Sequence, residues 1–343
     1  MWFFEERHAF LMRDRDKSAT PNAGRIPRGI LISAAVAGLL GVLWAGYWFG
    51  GGYLERKRDG DEIRLQLPAL PDTTGWPKAF AVALRDAESK ISGTRDLLQG
   101  IRDLCMLFHA NGFLEEAAAC YPILAERKPR EPRWPYLQAL LALDRGDLAS
   151  GVNLLETTLA LDPDAIHAML KLGAVRAKSN EPELASEAYR SCLLLEANNP
   201  YALLGLARDR MRSDQLADAG SLLDRLVEQN PEFAPGYMLM AQLHEKRGET
   251  RKAEVALAFG EERGRYNEPP DPWMDEVMDR CYDIYRLTVR ADTDTHAGRH
   301  DSAGRILDRA ATLAPGDPEV LTLRGFHQQR LGKMDDAAQS FQS

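Results

Sequence analysis

The sequence lacks catalytic signatures. There is no GxSxG, no Walker loop, no HExxH and no glycine fingerprint after a strand, so none of those chemistries has a motif to rest on. Four cysteines, Cys105, Cys120, Cys192 and Cys281, occur without CxxC or a Cys/His ligand spacing, which argues against zinc. Asp292, Asp294, His296 and His300 crowd together, but the two histidines straddle Gly298 and do not share a helix face, so no metal is expected. A basic excess is missing too. The net charge of -8 favours solubility and gives no reason to expect nucleic acid as a partner. Aromatics make up only 8%, yet 45% hydrophobic and 27% charged residues describe a folded chain rather than a disordered one. No cofactor is implied, and the chain is not expected to be an enzyme.

One long uncharged run is present. Ile30 to Gly50 reads ILISAAVAGLLGVLWAGYWFG; at about 1.5 Å per residue such a helix spans the roughly 30 Å hydrocarbon core of a bilayer. A cleaved signal peptide is the competing interpretation, but the run is long for one and lacks a small-x-small exit site. A retained transmembrane helix over 29–51 is the expectation, with the bilayer as a partner. Trp44, Tyr47, Trp48, Phe49 and Tyr53 then lie at a headgroup layer. Arg7, Arg13, Arg15, Lys17, Arg25 and Arg28 precede the run, while Arg56, Lys57, Arg58 and Arg64 follow it. The slight excess puts the N-terminus inside and the rest of the chain in a periplasm, on a bacterial inner membrane. Gly46 and Gly50 form a GxxxG pair, which leaves a homo-oligomer open.

Beyond the run the sequence repeats with a 34-residue period, set by Pro129, Pro163, Pro231 and Pro315. At the eighth position of each unit stand Cys105, Ala139, Gly173, Ala207, Ala241, Ala291 and Gly325, and at the twentieth Ala117, Gly151, Ala185, Ala219, Ala253, Ala303 and Ala337. All fourteen are small, as two closely crossing helices require. The fifteenth position holds Gly112, Gly146, Asn180, Asp214, Gly248, Gly298 and Gly332, residues that tolerate a left-handed helix exit. The twenty-fourth holds Tyr121, Leu155, Tyr189, Leu223, Leu257, Leu307 and Phe341, large apolar side chains on the same face as the small one.

Over roughly residues 98–343 this pattern resembles the tetratricopeptide-repeat family. The resemblance implies an all-α, right-handed α-solenoid of about seven helix hairpins, here preceded by one transmembrane helix, with a concave groove that binds peptides or folded partners. Met106 and Leu137 stand where the family's carboxylate-clamp subclass needs asparagine, so a chaperone-tail receptor is not expected.

The chain divides into a flexible segment (1–28), the transmembrane helix (29–51), an extended linker (52–76), a capping helix (77–94), units one to five (95–265), an insertion (266–283) and units six and seven (284–343). Trp273 to Thr295 can form one helix, giving the sixth unit an unusually long first helix. Trp273 is a candidate anchor for a docking partner. Cys105 and Cys120 can meet across one hairpin, but two reduced, packed thiols are the expectation.

In the resembling family the concave face is lined by the second, fifth, ninth and twelfth positions and their neighbours. In units one to four these include Arg102, His109, Arg133, Tyr136, His167, Lys171, Lys178, Tyr201, Arg208 and Arg212, against Asp103 and Asp144. Such a groove suits an acidic, extended protein segment. The expected function is a membrane-anchored scaffold for envelope assembly, secretion or quality control. The alternative is the targeting part of an enzyme whose catalytic portion lies beyond Ser343 or on another subunit.

Overall fold

Helix hairpins form because each 34-residue unit carries two apolar stripes separated by a residue that can turn the chain. The computed structural model describes residues 60–93, 96–263, 268–296 and 298–342. Helix α1 (Lys78–Ser92) packs on α2. The units follow as α2 (Leu97–Ala110) with α3 (Leu114–Arg127), α4 (Arg133–Asp144) with α5 (Leu148–Leu161), and α6 (Ile166–Lys178) with α7 (Pro182–Leu195). Next come α8 (Pro200–Arg212) with α9 (Leu216–Gln229), and α10 (Ala234–Lys246) with α11 (Thr250–Arg263). After the short α12 (Pro272–Met278), α13 (Ile284–His296) pairs with α14 (His300–Leu313), and α15 (Pro318–Arg330) with α16 (Met334–Gln342). The fold is an all-helical repeat stack, with no strand among the described residues.

All seven fifteenth positions have positive φ, including the non-glycine residues Asn180 at 61° and Asp214 at 58°. Amide side chains and short carboxylates tolerate that region better than other L-residues, which is why these two turns manage without glycine. The small positions are equally strict: a Cβ on Gly173 would lie 2.7 Å from the Tyr189 ring. At the twenty-fourth position Tyr121, Leu155, Tyr189, Leu223 and Leu307 are buried, whereas Leu257 is 44% and Phe341 48% exposed. No further described unit covers these two side chains.

The expected anchor, 29–51, lies outside the described residues, as do 1–28 and the start of the linker. Among the described residues no helix is long and apolar enough to cross a membrane. Three expectations are corrected. Residues 60–66, placed in an extended linker, are helical: Ile63 is buried, and Arg64 donates to the Ile91 carbonyl at 2.7 Å and that of Ser92 at 2.9 Å, closing the end of α1. Cys105 and Cys120 form a disulfide, with Cα atoms 5.5 Å apart, because the tight crossing of α2 and α3 faces the two small side chains. The stretch from Trp273 is not one long helix. It breaks between α12 and α13, where Asn111 of the first unit takes over the backbone: its Oδ1 accepts from Tyr282 N at 2.6 Å and its Nδ2 donates to Arg280 O at 3.1 Å.

That break shows where the core sits. One apolar cluster joins Ile63, Phe80, Phe108, Tyr121 and Tyr136 to Val277, Cys281, Leu287, Ala310 and Val320. The insertion therefore folds back onto units one and two and brings α13 to α15 into their core. Two smaller clusters hold units three to five together.

Candidate functional site

The first half of the expected groove is filled by the chain itself. Residues 268–283 carry Glu268, Asp271, Asp275, Glu276 and Asp279, and this acidic stretch seats mainly on the basic helices of units one and two and reaches His167 of unit three and Tyr201 of unit four. Pro269 and Pro270 keep its entry extended, and Pro272 opens α12 at a position where the missing N–H costs nothing. Asp271 does two things. Its Oδ1 accepts from Met274 N at 2.9 Å, capping α12, and its Oδ2 accepts from the Tyr136 hydroxyl.

The contacts of the seat join the repeat helices to the insertion. Arg133 donates to Glu276 at 2.8 Å and to Glu131 at 2.8 Å, and the two carboxylates raise its already high pKa further. The Trp273 ring lies edge-on to Tyr136 and His167, with centroids 5.2 and 4.3 Å away. Burial pushes the Tyr136 hydroxyl up, and Asp271 adds to that; burial likewise holds His167 below the usual imidazole range. Tyr201 donates to Glu268 O at 3.2 Å. Arg280 reaches Asp103 Oδ1 at 2.9 Å, while Lys90 holds the other oxygen at 3.0 Å. Trp273, the candidate anchor for a partner, thus anchors the chain to itself.

The remaining groove residues divide clearly. Arg102 is half-buried, 3.5 Å from Asp103. His109 is buried in the hairpin core with Nδ1 3.1 Å from the Tyr121 hydroxyl, and desolvation, assisted by Arg286, lowers it to about 4. Neither faces a groove open along its length. On units three and four Lys171 is half-buried and Lys178 and Arg208 are exposed, and none of the three makes an ion pair among the described residues. Arg212 donates to Ala177 O at 3.1 Å and lies 3.9 Å from Asp209. An open cationic strip therefore remains beside the point where Glu268 meets Tyr201.

Asn111, Asp271, Glu276 and Arg280 build the seat together with Asp103, and only Asp103 was placed on this face from the sequence. Asn111 sits before a turn glycine and reads as a helix end. The one available signal was the acid content of the insertion set against the basic face.

Family models of the tetratricopeptide repeat match residues 136–202 and 177–243, so this part of the chain carries tetratricopeptide repeats. It is similar to cellulose synthase operon protein C of Xanthomonas axonopodis pv. citri (strain 306), 28% identical over 216 residues, which are 60% of this chain and 13% of that protein. It is also similar to PEX5-related protein of Mus musculus, 30% identical over 102 residues, 29% of this chain and 18% of that protein. The matched region thus spans less than a fifth of either relative. Similar solved structures include MamA 41-end from Desulfovibrio magneticus RS-1, at 18% identity and TM-score 0.45 over 48% of this chain and 94% of that one. YrrB, described as a TPR protein with an unusual peptide-binding site, has 18% identity and TM-score 0.42 over 54% and 92%.

Proposed function

We propose that this chain is a membrane-tethered repeat scaffold that captures an extended, acidic stretch of a protein partner on the concave face of units three and four. The observation that carries the proposal is the strip of Lys171, Lys178 and Arg208, which make no ion pair among the described residues, continuing a face that already takes Asp271 and Glu276 from its own chain. In this proposal the uncharged run Ile30 to Gly50 is the tether and the repeats lie in a periplasm. The Cys105–Cys120 bridge supports that side, since such bridges persist in oxidising compartments. The test is a triple charge reversal, Lys171→Glu, Lys178→Glu and Arg208→Glu, followed by proximity labelling from the repeats in intact cells. Loss of the labelled set with unchanged helicity is expected; an unaltered set refutes the assignment.

A second reading takes its support from the likeness to cellulose synthase operon protein C: the chain serves as a repeat subunit beside an envelope enzyme, the catalytic part lying elsewhere. Co-purification of a polysaccharide-synthesising activity with the tagged chain favours it.

A further inference from the structure

The fifth unit breaks a rule that the rest of the array keeps. On the second helix of each hairpin the twenty-second position is Ala119, Asn153, Glu187, Ser221, Arg305 or Gln339 elsewhere, but Val255 here. The twenty-sixth is Thr157, Ser191, Arg225 or Arg309 elsewhere, or Ile123 buried in the core, but Phe259 here. Val255 is 51% and Phe259 43% exposed. They do not stand alone: with Tyr237, Met240, His244 and Ala256 they line an open groove of about 720 Å³ between α10 and α11. A second pocket, lined by Glu183, Ser186, Arg190, Asp209 and Arg210, is smaller, about 140 Å³, and polar.

Shape and charge select the occupant. The lining residues recur at helical spacing on two adjacent helices, Tyr237, Met240 and His244 on one and Val255 and Phe259 on the other. The furrow runs about 10 Å along α10, two helical turns from Tyr237 to His244, and about 6 Å along α11, one turn from Val255 to Phe259. A furrow between helices accepts the ridge of a third helix. A bilayer needs protruding apolar side chains rather than a trough. At the rim stand Arg251 and Lys252; the single lining carboxylate, Glu249, already accepts from His244 at 2.6 Å and pairs with Lys252 at 3.3 Å. Arg251 has no ion pair among the described residues. Two fixed cations against one carboxylate leave the rim positive by one charge.

We propose that this furrow seats an amphipathic helix of a partner protein, with apolar residues one turn apart and a carboxylate beside Arg251. The probe is a fluorescein-labelled peptide of about eighteen residues with leucines at helical spacing and glutamates on the other face. It is titrated against the full chain in zwitterionic nanodiscs, followed by fluorescence anisotropy. Saturable binding is expected, weakened at least about tenfold by Val255→Asp, while Arg251→Glu moves the preference to the matching lysine peptide. Arg251 is an exposed side chain, so that second variant remains informative where the first perturbs folding. Equal binding of a scrambled peptide, or unchanged affinity in both variants, overturns the proposal. So does binding of the chain to protein-free vesicles that Val255→Asp abolishes in the absence of any peptide response, because the patch is then a membrane contact.

Discussion

Replacing both Cys105 and Cys120 by alanine should cost the first unit about 3 kcal/mol. The two cysteines close a loop with a sequence separation of 15, and tying a loop of that size removes about 3 kcal/mol of chain entropy from the unfolded state. The structure makes alanine a clean probe of the cross-link. At the position of Cys105 four of the other six units carry alanine, Ala139, Ala207, Ala241 and Ala291, and at that of Cys120 two do, Ala188 and Ala256. Packing therefore tolerates alanine at both places, and the difference is dominated by the bridge. For a body running from Asp59 to Ser343, with an unfolding entropy of about 2.1 cal/mol/K per residue, a loss of about 3 kcal/mol lowers Tm by roughly 5 °C. Thermal unfolding of the oxidised chain, the reduced chain and the double variant is the assay. The reduced chain and the variant should coincide, both below the oxidised one. If the chain purified from cells shows two alkylatable thiols at these positions, or if reduction leaves Tm unchanged, the argument from the bridge fails. The support it lends to a periplasmic location falls with it.

Two further outcomes follow from the core. His109 is depressed from 6.5 to about 4 by burial, so between those values the unfolded chain binds the extra proton. Stability should fall as pH drops through that window, by about 3 kcal/mol in all, and His109→Gln should flatten that part of a denaturant-midpoint profile against pH. Asn111→Ala should remove both side-chain bonds that hold the break before α13, costing about 2–3 kcal/mol because the Tyr282 N–H and the Arg280 carbonyl lose their partner. Hydrogen exchange at the Tyr282 amide checks it, and unchanged protection counts against a structural role for Asn111.

Local physics was legible in the linear chain. Small residues at the eighth and twentieth positions state how closely two helices cross, and Gly112, Gly146, Asn180 or Asp214 state where the chain must enter a left-handed conformation. Both requirements act within about fifteen residues, so the sequence carries them without reference to anything distant. The exposure of Leu257 was not legible, although it has the same identity and position as the buried Leu223. Whether a side chain is covered depends on which unit comes next in space.

By itself, then, the sequence determined the repeating hairpin, its turns, its small contacts and a face rich in cations. Only the tertiary structure decided what meets that face. Contacts such as Arg133 with Glu276 and Asp103 with Arg280 join residues 143 and 177 positions apart, and no period of 34 encodes such a pairing. The acidic insertion and the basic helices were both visible in the chain, but Coulomb attraction and the burial of Val277 and Cys281 act only once folding has brought them together. Part of a face that looked continuous along the sequence is therefore occupied by the chain's own insertion, chiefly over units one and two.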